Sequence, residues 1–263
     1  MSKNLVFQYH LPANGVGKLP HYENEEGIPD WAIRSNEYFQ RYAETHGADY
    51  LLGTERTVDC DSNYFEICRV FLDPAFDQYD QVLYVDLDVM PKNMDANIFA
   101  LEGNYHIRGW SEKKLPWMTG NPKWPISEPL VQRFNKFGAP IIRTKEGHLR
   151  MVNTGVLVWS LEARIRARAL FEHPQRWFSY NNTLLDDRLN PQAVGHSSHC
   201  LDQPYLNAMF NRSKFKVDLL HHRWNRFPAV DENHECNFAH YVGKGGKKVI
   251  LDIFPELDDE QSK

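Results

Sequence analysis

The chain has 263 residues, 42% of them hydrophobic and 25% charged, with a formal net charge of -5. That length and balance suit one large or two small globular domains with a substantial core, and they lack the basic footprint of a general nucleic-acid binder. No apolar run approaches the length of a membrane span and the N-terminus has no signal-peptide core, while Cys60, Cys68, Cys200 and Cys236 lack the spacing of a zinc knuckle or a disulfide frame. The expected setting is therefore cytoplasmic, with reduced thiols and no membrane anchor. An aromatic share of 13% mildly favours flat or ring-shaped ligands.

In chain order, Leu5–Tyr9 reads as a first strand, followed by a Pro/Gly/Asn loop to about Pro29. The loop after the first strand of an α/β sheet commonly touches a nucleotide, which makes Tyr9, His10 and Asn14 candidates for base or ribose contacts. Taken singly, each reads more readily as an ordinary surface residue. Asp30 is the predicted cap of a helix that buries Trp31, Tyr38, Phe39, Tyr42 and Ala43 and ends at Gly47. Residues 48–52 form a second strand. Ser62 starts a further helix with Phe65, Cys68, Phe71 and Leu72 inward; Arg69 within it reads, on spacing alone, as a salt-bridged or snorkelling side chain. The turn 77–80 then leads into Val82-Leu-Tyr-Val85, a buried strand. The order β-α-β-α-β predicts a doubly wound, mostly parallel sheet.

The third strand ends in two carboxylates, Asp86 and Asp88. At the C-terminal tip of a strand in an open α/β sheet, such side chains enter the ligand crevice. Two acids so close are costly to keep charged unless a cation neutralises them, and hard oxygen ligands suit Mg²⁺ or Mn²⁺, which in turn would hold a diphosphate. The competing reading is one Asp capping a turn and one solvated.

Residues 98–150 read as irregular, because Pro116, Pro122, Pro125, Pro129 and Pro140 interrupt helices, and are expected to cover one side of the cleft. Trp110, Trp117 and Trp124 lie in this segment and suit a small satellite core or a sugar-stacking face. Val156–Trp159 form another buried strand, entered through Asn153-Thr154-Gly155, a polar stretch able to bring backbone close to a ligand or simply to turn. The helix 161–172 is expected to expose Arg164, Arg166 and Arg168. Asp202 fits the N-cap of a helix through Phe210; capping does not explain Gln203, an amide able to face developing positive charge. After a strand at 216–220, the adjacent His221 and His222 are expected to diverge. His240 ends a short aromatic strand, and the Gly243-Lys-Gly-Gly-Lys-Lys248 loop beyond it offers backbone N–H groups and lysines to a phosphate. Residues 255–263 read as a frayed acidic tail.

Five of these segments, in this order, resemble glycosyltransferase family 8, the group of glycogenin and the bacterial lipopolysaccharide galactosyltransferases. They are Glu66-Ile-Cys-Arg-Val-Phe-Leu-Asp-Pro74, Tyr79-Asp-Gln-Val-Leu-Tyr-Val-Asp-Leu-Asp-Val89, Val152-Asn-Thr-Gly-Val-Leu-Val158, Leu201-Asp-Gln-Pro-Tyr-Leu-Asn207 and Phe238-Ala-His-Tyr-Val-Gly243. The resemblance runs from about Ile67 to Lys248. It implies one GT-A domain over 1–263, an α/β fold with a Rossmann-like, mostly parallel central sheet flanked by helices. About 1–100 would be the nucleotide half, about 101–250 the sugar and acceptor half, and 251–263 the tail. It further implies a metal-dependent transferase that moves a sugar from a nucleotide-diphosphate donor, a UDP-sugar, to a hydroxyl of a glycan or protein acceptor with retention. On that pattern Asp86, Asp88 and His240 hold Mn²⁺ or Mg²⁺, with the imidazole favouring Mn²⁺. Arg69, Asp202 and Gln203 act on the sugar, and Asn153, Thr154 and Gly155 line it. From their loop positions rather than from the resemblance, Tyr9 and His10 are the candidates for the nucleotide and Gly243, Lys244 and Lys247 for its phosphates.

Two departures stand out. The family's closing Lys-Pro-Trp is missing, and its phosphate lysine would fall on Gly246, leaving Lys244 or Lys247 to substitute. The Pro-rich region before Arg150 follows no family pattern. One rival is a haloacid-dehalogenase-like phosphatase, which also places Asp-x-Asp after an apolar strand but wants Thr or Val where this chain has Met90. Another is a nucleotide-sugar-binding protein without turnover.

Overall fold

The computed structural model describes residues 2–11, 27–111, 128–143, 150–185, 202–228 and 235–257. Eight strands lie among them: β1 (Asn4–Tyr9), β2 (Asp49–Gly53), β3 (Gln81–Val85), β4 (Val89–Pro91), β5 (Ile107–Ser111), β6 (Val152–Ser160), β7 (Val217–Leu219) and β8 (Phe238–His240). Six of them build one sheet in the order β2-β1-β3-β6-β5-β7, and β4 pairs with β8 in a second. Within the large sheet only β6 is antiparallel to its neighbours. The doubly wound α/β expectation holds, with one reversed strand beside the one that carries the acids.

Both faces of this sheet are covered, which is why its central strands are apolar without alternation. Leu5, Phe7, Val82, Tyr84, Leu157 and Trp159 enter one core cluster. Their neighbours Val6, Leu83, Val85, Val156 and Val158 enter the other. Full burial of such a side chain stabilises by roughly 1.5–3 kcal/mol. The helices are α1 (Asp30–Thr45), α2 (Arg69–Leu72), α3 (Glu128–Lys136), α4 (Leu161–Leu170), α5 (Pro174–Leu185), α6 (Asp202–Arg212) and α7 (Gly243–Ile253). Among the described residues, no helix is long and apolar enough to cross a membrane.

Several local expectations need correction. Residues 98–150 do not merely flank the sheet: β5 is one of its inner strands, between β6 and β7. Its sequence hides this because Arg108 and Gly109 occupy sheet positions. Arg108 is fully buried, yet Nε donates to Asp218 Oδ2 at 2.9 Å and the other guanidinium nitrogens reach the carbonyls of Leu101 and Glu102. A Cβ on Gly109 would stand 2.4 Å from Val152 Cγ1 and 2.8 Å from Leu157 Cδ2. Trp110 packs tilted on Phe227 in the core, with ring centroids 5.5 Å apart; Trp117 and Trp124 lie outside the described residues. Asp30 is the first residue of α1, behind an extended Pro29, and makes no side-chain cap. The predicted helix from Ser62 is a 3₁₀ segment, Asn63–Cys68, closed by the single turn of α2. The Gly/Lys loop is the opening of α7. His221 and His222 do not diverge, because an extended His221 precedes a 3₁₀ turn; their ring centroids lie 4.0 Å apart.

Arg164 is the largest reversal. Instead of facing solvent it is fully buried and donates to the carbonyls of Trp159, Phe76 and Tyr79, tying α4 to the segment before β3. Its neighbour Arg168 forks onto Asp77 at 2.8 Å for both bonds. Arg164→Met takes a buried charged donor away from three carbonyls, so the variant is expected to lose about 3–5 kcal/mol of stability in urea unfolding.

Candidate active site

The carboxylate pair sits where the register of two sheets converges. Val85 pairs with Val156, and one step further the Asp86 N–H donates to the Gly155 carbonyl at 2.9 Å. A tight turn follows, closed by Val89 N–H onto the Asp86 carbonyl at 3.1 Å, and β4 begins. Antiparallel pairing of β4 with β8 sets Val89 opposite His240, and Tyr241 N–H donates to the Asp88 carbonyl at 2.7 Å. A residue far downstream in the chain is thereby laid beside the acids: His240 Nε2 is 3.0 Å from Asp88 Oδ1 and 3.8 Å from Asp86 Oδ2. One ligand atom from each of the three lies within 4.8 Å of the others.

The donor set fits a divalent cation. Asp86 keeps 35% of its side chain exposed and Asp88 15%, so an ion can reach both, whereas His240 at 6% is held from behind. Burial and the neighbouring Asp88 charge raise the Asp86 carboxyl above its usual range. Burial acts the same way on Asp88, but contact with His240 and the charge of Lys247 outweigh it and hold Asp88 low. One acid is thus a strained anion that a cation relieves. Tyr84 fixes it from inside the sheet, its hydroxyl donating to Asp86 Oδ1 at 2.5 Å.

Gly155 makes the close approach possible. A Cβ there would meet His240 Cε1 at 2.4 Å, with Nδ1 and Asp86 Oδ2 both at 2.9 Å. Gly155→Ala must push the imidazole off the acids, and overpacking of this kind costs about 1–3 kcal/mol. The expected result is Mn²⁺ affinity reduced at least about tenfold in calorimetric titration, the scale of a disturbed ligand shell.

Behind the acids runs a buried amide chain. Asn153 Oδ1 accepts from Gly155 N–H at 2.9 Å, and its Nδ2 donates to Gln203 Oε1 at 3.2 Å. Thr154 N–H also points at Gln203 Oε1, at 3.4 Å, and the Thr154 hydroxyl donates to Asp202 Oδ2 at 2.8 Å. Asn207 locks α6 to β6, accepting from Val152 N–H and donating to the Val152 carbonyl. Burial, with a further push from Asp86, raises the Asp202 carboxyl to about 7. A folded value above the unfolded one of about 4 means stability that is present at acid pH and lost as pH rises through 7. In chelator, Asp202→Asn is therefore expected to melt close to wild type at pH 4 and to gain on the order of 1–3 kcal/mol over it at pH 8.

The remaining predicted residues are more scattered. Tyr9 stacks on Tyr84 with centroids 5.9 Å apart, and its hydroxyl donates to the Tyr64 carbonyl at 3.2 Å. His10 Nε2 lies 3.2 Å from the Gly27 carbonyl; Asn14 lies outside the described residues. Arg69 pairs with Asp73 at 3.2 Å and stands over the Phe7 and Phe76 rings. Among the described residues it shares no hydrogen bond with the amide chain. Gly243 opens α7 with a φ of 79°, open to glycine and strained for other residues. At Gly246 a Cβ would be 2.6 Å from the Tyr241 carbonyl carbon and oxygen, so no lysine fits there. Lys247, with its ammonium 4.3 Å above the Trp31 ring, carries its charge to both acids instead. The Lys244 side chain lies outside the described part. Asn225, which no sequence pattern singled out, joins His240 to Asn153.

A mostly parallel α/β sheet with an acid pair at the tip of a central strand defines a GT-A glycosyltransferase fold. The chain belongs to glycosyltransferase family 8: the sequence model described as "Glycosyl transferase family 8" matches residues 57–246. It is therefore a glycosyltransferase, and the phosphatase alternative falls. Among solved structures it is similar, at 14% identity and a TM-score of 0.50, to a glycosyltransferase involved in glycosylation of the major capsid of PBCV-1, over 95% of this chain and 99% of that one. It is also similar, at 12% identity and a TM-score of 0.48, to the galactosyltransferase LgtC in complex with donor and acceptor sugar analogs, over 98% of both chains. No curated protein matches the sequence.

Proposed function

We propose that the protein transfers a sugar from a UDP-sugar to an acceptor hydroxyl, with retention, using a divalent cation, preferably Mn²⁺, held by Asp86, Asp88 and His240. The observation that carries this reading is the approach of those three ligand atoms to within 4.8 Å at the tip of β3 in a family 8 chain. Such a cation, when bound, neutralises charge building on a departing diphosphate, and stabilising developing charge in this way is usually the main source of rate enhancement in transfer chemistry. The chain's own groups do the rest. Lys247 adds a fixed positive charge on the phosphate side, and the outward N–H groups opening α7 suit an oxyanion. Asn153, Thr154, Asp202 and Gln203, locked together by hydrogen bonds, orient the donor sugar against the acceptor. Tyr9 and His10, at the end of β1, suit the base and ribose. With no carboxylate assigned as nucleophile, attack from the face of the departing diphosphate is the route we assign, beside Gln203. Free Cys60, Cys68 and Cys236 accord with a reducing, cytosolic setting.

Incubation with a panel of UDP-sugars and Mn²⁺ tests the reading. UDP release with at least one donor, lost in chelator, is expected. Donor binding without UDP release would favour instead a nucleotide-sugar-binding protein, and neither binding nor release contradicts both.

A further inference from the structure

We propose that Asn225 is a positioning residue for the cation site: it holds Nδ1 of His240 as a donor and so fixes the ring with Nε2 facing Asp86 and Asp88. The inference rests on the cation reading above for its purpose, but its geometry stands by itself. Asn225 is wholly buried at the end of the 3₁₀ turn His222–Trp224. Its Nδ2 donates to Asn153 Oδ1 at 2.7 Å, and its Oδ1 lies 3.0 Å from His240 Nδ1.

The assignment of these atoms is dictated by one backbone group. The Gly155 N–H can only donate, so the Asn153 atom facing it, at 2.9 Å, is oxygen. Asn225 must then turn its NH₂ toward that oxygen and its carbonyl toward His240. An imidazole nitrogen against a carbonyl oxygen must carry a proton, so Nδ1 is N–H. Nε2 is then the ring atom left to face a cation; with none bound, its 3.0 Å approach to the Asp88 carboxylate is a hydrogen bond that needs a proton there as well. Phe227, stacked on the imidazole with centroids 4.8 Å apart and an angle of 29°, limits tilting. The same relay continues through Asn153 Nδ2 to Gln203 Oε1, so the cation side and the sugar side share one hydrogen-bond direction. Outer partners that set a ligand histidine's tautomer typically alter metal affinity about 10–100-fold when removed.

The test combines nitrogen-15 histidine NMR on the metal-free protein with Mn²⁺ titration by electron paramagnetic resonance. Wild type is expected to show His240 protonated at Nδ1. Asn225→Ala is expected to lose that preference and to bind Mn²⁺ about 10–100-fold more weakly. Asn225→Asp keeps an acceptor for Nδ1–H but sets a carboxylate oxygen against Asn153 Oδ1; it is expected to keep the tautomer and bind Mn²⁺ within about threefold of wild type, while slowing donor turnover. A wild-type ring with no proton on Nδ1, or a folded Asn225→Ala with unchanged Mn²⁺ affinity, overturns the proposal. If wild type binds no Mn²⁺ the cation reading fails, and the ring tautomer alone decides the role of Asn225. If Asn225→Ala does not fold, the wild-type tautomer still decides it.

Discussion

Asp88→Ala is expected to reduce UDP-sugar turnover by roughly a thousandfold or more, the scale set by several kcal/mol of lost charge stabilisation. Asp88 is the acid that His240 touches, at 3.0 Å, and the one kept ionised beside it. Removing it leaves Asp86 and His240 3.8 Å apart as the remaining ligands. The fold should survive, since the backbone bond from Tyr241 N–H to the residue 88 carbonyl involves no side chain. Two readouts separate function from folding. Mn²⁺ should raise the melting temperature of wild type by mass action and leave that of the variant unmoved, while circular dichroism remains the same. Near-normal turnover by Asp88→Ala would remove the cation assignment.

Gln203→Ala is expected to lower kcat by about a hundredfold or more, as for loss of one oriented dipole at a reacting centre, with Mn²⁺ affinity within about threefold of wild type. Gln203 is buried at the start of α6, its Oε1 accepting from both Asn153 Nδ2 and Thr154 N–H. An amide held by two donors keeps its orientation through the reaction at no cost in reorganisation, which is what electrostatic preorganisation requires. Truncation also leaves those two donors without their acceptor, so some stability should go with the rate. A kcat within about threefold of wild type would take Gln203 out of the reaction. A matched fall in Mn²⁺ affinity would instead place its effect on the cation side, through the shared amide relay.

Much of this was legible in the chain because burial leaves a direct mark on sequence. Strands β1, β3 and β6 are covered on both faces, so Val82–Val85 and Val156–Trp159 had to be continuous apolar runs. The acids at the tip of β3 followed from the end of that run. What stayed hidden was buried polarity. Arg108 in β5 and Arg164 in α4 look like solvent-facing charges, yet backbone carbonyls accept hydrogen bonds from each inside the protein. The α7 start reads as a loop because three glycines cluster there, although Gly246 is glycine for want of space against Tyr241. Asn225 had no signal at all. Its role exists only once β8 has brought His240 back to β4, a juxtaposition set by tertiary register.

At the centre of the proposed chemistry is one ion, which two neighbouring acids and a distant imidazole would hold against a pyrophosphate. Crystals soaked with Mn²⁺ and UDP, with anomalous scattering recorded at the manganese edge, address this directly. The expected result is a single anomalous peak in bonding contact with Asp86, Asp88 and His240 Nε2, bridged to the UDP phosphates. UDP bound with no ion at that position, or an ion bound elsewhere, would contradict it.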